Sequence, residues 1–141
     1  RADQLALSSA SDMLMAHLLK HYFSDYHTLP DVPGGLSPYT QRQVLDYIEH
    51  HLDQALTLLQ LAEVAHLSEY HFARMFKRSV GMAPHQYVTH RRLNLASRLL
   101  LNPELTLAEI ALRCGFSSQS HFSNRFKAFY GVTPAGYRKA H

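Results

Sequence analysis

One stretch of this chain is written twice. HFARMFKRSVGMAPHQY, residues 71–87, returns as HFSNRFKAFYGVTPAGY, residues 121–137. The likeness extends upstream, where LTLLQLAEVAHLS (residues 56–68) matches LTLAEIALRCGFS (residues 105–117) at an offset of 49, against 50 for the later segment. The second copy therefore holds one extra residue, expected near positions 118–120. Identities fall on Phe72 and Phe122, Phe76 and Phe126, Gly81 and Gly131, Pro84 and Pro134, and Tyr87 and Tyr137. These are core, cap and turn positions, so the chain builds one local unit twice.

The unit is helical. Beyond residue 39 the apolar residues recur at spacings of three and four, with no convincing alternation of period two. Val44, Leu45, Ile48 and Leu52 predict a first helix over about 40–53, and a short second helix follows over 58–65. A third runs over 69–80 and ends at Gly81, whose freedom at positive φ suits a helix C-terminus. Pro84 suits the first turn of a longer connecting helix over 84–101, which stops at Asn102-Pro103. In copy one Leu58, Leu61, Ala62 and Ala65 are expected to face inward with Leu67, Phe72 and Phe76. In copy two Leu107, Ile110, Ala111 and Cys114 do the same with Phe116, Phe122 and Phe126. The Phe pairs are four apart and share a helix face. Short helix, tight turn and longer helix make a helix-turn-helix. The fold class expected is all-α, with two such subdomains at 57–79 and 106–130 joined by the connecting helix.

The copies diverge on the opposite face. Copy one offers Glu69, Tyr70, Ala73, Arg74, Lys77 and Arg78, and copy two offers Ser118, Gln119, Ser120, Ser123, Asn124 and Lys127. A shared scaffold with different exposed polar residues is what two readers of two DNA half-sites need. Arg pairs with the O6 and N7 of guanine, and Asn or Gln with the N6 and N7 of adenine.

Charge agrees. Residues 1–69 carry three Lys or Arg against nine Asp or Glu, a net −6, while residues 70–141 carry eleven against two, a net +9. A basic half favours a polyanion, since cations that neutralise phosphates release counterions. The alternative is a helix-turn-helix module for protein contacts, which the charge split and the exposed Arg, Gln and Asn argue against.

At this level of detail residues 35–137 resemble the C-terminal DNA-binding domain of the AraC/XylS family of bacterial transcription regulators. The matching text is LTLLQLAEVAHLSEYHFARMFKRSVGMAPHQYVTHRRLNLASRLLL followed by LTLAEIALRCGFSSQSHFSNRFKAFYGVTPAGYR. The resemblance implies a seven-helix unit that binds double-stranded promoter DNA in two adjacent major grooves. It further implies an activator that works with RNA polymerase. Base-reading positions carry over to Tyr70, Ala73 and Arg74 in the first recognition helix, and to Gln119, Ser120, Ser123 and Asn124 in the second. Phosphate contacts are expected from Ser68, Lys77, Arg78, Arg91, Arg92, Ser117 and Lys127. Two positions depart from the pattern. His66 stands where Gly is frequent, and His enters the left-handed region more readily than most residues, so the turn is kept. Asn124 replaces a frequent Arg, which favours an adenine contact, or no base contact, over a guanine contact there.

The DNA-binding domain is expected over 37–141 and the end of an upstream sensor or dimerisation domain over 1–36. The chain opens RADQ without methionine, as a piece of a longer protein would. Leu7, Ala10, Leu14, Leu18 and Tyr22 predict an amphipathic helix within 3–24, a candidate surface for pairing two copies or for docking on the upstream domain. HTLPDVPGGLSP, residues 27–38, reads as a linker. With the sensor upstream, the chain is expected to bind DNA without a small molecule.

Other classes fare worse. His17 with His21 and His50 with His51 lack the Cys or carboxylate that would complete a ligand set, so no metal or cofactor is implied. His71 and His121 read as packing or phosphate-side residues. There is no Gly-rich phosphate loop or carboxylate pair in the repeats, and Cys114 is spaced as a core residue, so no enzyme is expected. A single cysteine, no signal-peptide pattern and no apolar run near ~20 residues point to a reducing cytoplasm rather than a membrane or secretion.

Overall fold

The computed structural model describes residues 33–141. The expected helix within 3–24 and most of the 1–36 segment lie outside these residues. Those described form seven helices and no strand: α1 (Pro38–His50), α2 (Leu58–Val64), α3 (Glu69–Val80), α4 (Pro84–Leu99), α5 (Leu107–Arg113), α6 (Gln119–Tyr130) and α7 (Pro134–Ala140). They divide into two compact units, 33–91 and 92–141.

Local chemistry fixes the helix ends. In the first unit Thr57 and Gln60 make a reciprocal cap on α2: the Gln60 N–H donates to Thr57 Oγ1 at 3.1 Å, and the Thr57 N–H donates to Gln60 Oε1 at 2.8 Å. Ser68 caps α3 by accepting from the His71 N–H at 3.2 Å. Gly81, at φ 91°, closes α3 with its N–H on the Lys77 carbonyl at 2.8 Å. The second unit repeats the pattern. Thr106 caps α5, Ser118 caps α6 through the His121 N–H at 3.0 Å, and Gly131 at φ 80° donates to the Lys127 carbonyl at 2.8 Å.

The turn between short and long helix is also the same object twice. His66 at φ 57° and Gly115 at φ 81° occupy the left-handed region, and the next N–H, of Leu67 or Phe116, donates back five residues to Ala62 or Ala111 at 3.0 Å. His66 thus takes the conformation expected of it.

The extra residue is Ser117, not one within 118–120. Ser118 caps α6 as Ser68 caps α3, so Ser118 is the counterpart of Ser68 and the insertion lies in the turn. An insertion inside the helix would rotate every later side chain by ~100°, out of register with the buried Phe122 and Phe126.

In the first unit α1 packs on α2 and α2 on α3. Val44, Leu45, Ile48, Leu61, Ala62, Phe72, Phe76 and Tyr87 are buried, and the Phe76 ring meets both Phe72 and Tyr87 at 5.5 Å between centroids. In the second, Leu93, Ala96 and Leu100 join Ile110, Ala111, Cys114, Phe116, Phe122, Phe126 and Phe129 in one apolar core, with Leu99 and Leu107 partly buried against it. Three expected core residues differ: Leu58 is 37% exposed, and Leu67 and Leu107 are half-buried. Leu58 is the first residue of α2, where the apolar stripe begins outside the packed turn. Boundaries shift as well. Ser37 caps α1 with Pro38 at its first turn, starting that helix earlier than expected, and α4 ends at Leu99, where the chain turns through Leu101 and Asn102.

Candidate nucleic-acid interface

Burying Phe72 and Phe76 turns the other side of α3 outward. Glu69, Tyr70, Arg74, Lys77 and Arg78 are exposed there, and Ala73 is half-buried at its edge. Tyr70 leaves 67% of its surface free, and the Arg74 guanidinium carbon lies 5.7 Å from the centre of its ring. The aromatic face thereby restrains the guanidinium before any ligand arrives. On α6, buried Phe122, Phe126 and Phe129 leave Gln119, Ser120, Asn124 and Lys127 exposed and Ser123 half-buried. Base-reading candidates are thus gathered on one outward face in each unit.

The expected phosphate ligands split. Ser68, Lys77, Arg78, Ser117 and Lys127 are exposed. Arg91 is not: it is buried at 7% exposure with its Nε on Glu49 Oε1, an ion pair between α4 and α1 within the first unit. A guanidinium held beneath the surface by a carboxylate is a structural tie, so the phosphate role expected of Arg91 gives way to it. Arg92 is half-buried, and burial draws its pKa below the ordinary guanidinium value, an effect the nearby Cys114 partly opposes. Such a group is poorly placed to meet a phosphate in solvent.

Ser68 Oγ accepts from the helix and retains its own proton to donate. Its counterpart Ser118 is likewise exposed and capping, although the sequence assigned the phosphate to Ser117. Ser117 Oγ instead lies 3.4 Å from His121 Nδ1.

Two groups escaped the sequence reading. Arg125, exposed on α6 beside Asn124, is a cation next to the position where Arg was missing. Its register, one residue on from the matched position, is the signal that pointed away from it. The second is the segment before α1. Arg78 Nε donates to the Pro33 carbonyl at 2.6 Å, and the Leu36 N–H donates to Ser79 Oγ at 2.7 Å. Together with α3 this segment bounds a concavity of about 550 Å³ lined by Gly34, His71, Arg74, Met75, Lys77 and Arg78.

Comparison with known proteins agrees with this geometry. The model of the family described as "Helix-turn-helix domain" matches residues 61–140. The probable transcriptional regulator LumQ of Photobacterium leiognathi is 42% identical over 93 residues, 66% of this chain and 38% of that protein, so the match spans well under half of that relative. The transcriptional activator AarP of Providencia stuartii is 35% identical over 96 residues, 68% of this chain and 71% of AarP. Among solved structures, the DNA-binding domain of the global transcriptional factor AdpA in complex with a target DNA superposes with a TM-score of 0.66 at 34% identity, covering 70% of this chain and 89% of that one.

Proposed function

The chain belongs to the AraC-type helix-turn-helix family of DNA-binding transcription regulators, and from that premise we propose that α3 and α6 each enter a major groove of double-stranded promoter DNA. The observation that carries this reading is the pair of outward faces: one capped scaffold, built twice, presents different polar side chains at matching positions. Arg74, steadied by Tyr70, reads a guanine through its forked donors, and Asn124 and Gln119 read adenines. Tyr70, Ala73, Ser120 and Ser123 shape the contact with neighbouring bases. Ser68, Lys77, Arg78, Ser118 and Lys127 hold the sugar-phosphate backbone and set register rather than sequence.

The same reading gives the whole protein a transcriptional role in the bacterial cytoplasm, as an activator that meets RNA polymerase, with residues 1–36 linking to a sensor or pairing two copies. AarP's description as an activator supports the sign. Neither the family nor the relatives favour a protein-interaction module, and none of them is an enzyme. Among the described residues no helix is long and apolar enough to cross a membrane. Selection of bound sequences from random duplex DNA, followed by affinity measured across a salt series, tests the proposal. A shared sequence motif and a steep fall of affinity with salt are expected; binding that ignores both sequence and salt contradicts it.

A further inference from the structure

The concavity beside α3 has a composition that the reading of bases does not explain. His71, Arg74, Met75 and Arg78 recur at spacings of three and four, so they line one flank of the helix, with Lys77 beside them. Among the described residues no carboxylate pairs with Arg74, Lys77 or Arg78. The facing wall comes from residues preceding α1. Leu36 is buried at 1% exposure and its N–H is bound by Ser79, which pins this segment to the end of α3. One turn of chain earlier the Pro33 carbonyl takes the Nε proton of Arg78. Gly34 between them sits at φ +78°, and a Cβ there would lie 2.9 Å from Arg78 Nε. Backbone and guanidinium therefore approach as closely as they do because that position has no side chain.

A guanidinium has five N–H donors. With Nε turned to Pro33, the four on the two terminal nitrogens remain, in a fork whose direction the carbonyl sets. We infer that residues 33–36 are a working part of the DNA interface: the Pro33 carbonyl orients Arg78 so that, with Lys77 beside it, it takes one DNA backbone phosphate in the concavity between this segment and α3. The inference rests on the reading of α3 as a recognition helix, and it adds that this contact depends on the segment upstream of the domain. Any displacement of Pro33 removes the group that aims Arg78.

Ethylation interference and a salt series on the 141-residue chain, with a duplex selected from a random library, test this. Arg78→Ala, Gly34→Val and the double variant should each lose interference at the same single phosphate. Each should also lower the slope of log affinity against log salt by about 0.9, so that between 50 and 200 mM salt the wild type loses about 3.5-fold more affinity than any of them. The double variant should be no worse than Arg78→Ala, and base preference should stay unchanged in all three. Should Gly34→Val lose its helical circular dichroism, Ser79→Ala, which releases the Leu36 N–H, carries the same expectation. Wild-type interference and slope retained in the segment variant, whether or not Arg78→Ala loses them, would overturn the inference while leaving DNA binding intact. A wild-type chain that bound no duplex would instead overturn the functional reading and this inference with it.

Discussion

Single residues carry two tests that owe nothing to DNA. Cys114 is buried, and burial pushes its thiol up to about 12, partly opposed by the nearby Arg92 and Arg98 charges. In the unfolded chain the thiol ionises near the ordinary value of 9.0. Between those values the unfolded state releases a proton that the folded state keeps, so stability falls as pH rises from about 9 toward 12 and is unaffected by this group below 9. Urea denaturation of the wild type and Cys114→Ala across that range should show the extra downward slope in the wild type alone. The left-handed turns give the second test. Replacing His66 by Gly relieves a side chain at φ 57° and should raise stability by up to ~1 kcal/mol, the side-chain strain removed being partly offset by the entropy of the new glycine. Gly115→Ala makes the opposite change and should cost ~1–2 kcal/mol. Thermal melts of the two variants moving in the same direction would contradict the shared turn geometry.

Within the helices, residues proposed to read bases are distinct from residues that hold the fold. Arg74→Ala should cost ~1–3 kcal/mol of binding and relax preference at one base pair, which a comparison of affinities across single-base variants of the selected site would show. Glu49→Ala should do the reverse. It removes the carboxylate that ties the buried Arg91 to α1 and should cost up to ~3 kcal/mol of fold stability, near the low end for buried pairs because Glu49 keeps 23% exposure, yet leave the salt slope of binding alone. What was legible in the sequence follows the same division. The helix end at Gly81, the turn at His66 and the Phe pairs are set by chemistry within five residues and stand where the sequence put them, whereas the caps at Thr57, Ser68 and Thr106 emerge only in the structure. Arg91 was misread because its partner lies 42 positions earlier in the chain. Arg138 was missed for a like reason: in the second unit it donates to the Leu100, Asn102 and Leu105 carbonyls at 2.7–3.1 Å, a clamp on the turn before α5 that no local pattern announces. The insertion was misplaced because Ser117 and Ser118 are the same residue type, and only the hydrogen bond to His121 tells which one caps the helix.

For the whole molecule the outward faces of α3 and α6 bear a joint prediction. Because the sensor is proposed to lie upstream of the DNA-binding domain, the 141-residue chain should bind its selected duplex with no metabolite added. Binding that appeared only with a small molecule would move the effector site into this chain. One chain is proposed to read DNA with both helices, and hydroxyl-radical footprinting of the wild type beside Arg74→Ala and Asn124→Ala puts this to the test. Two protected patches about one helical turn apart on one face of the duplex are predicted, roughly 34 Å. Arg74→Ala should weaken base preference under one patch and Asn124→Ala under the other. A single protected patch, or both variants altering preference at the same base pairs, would contradict it.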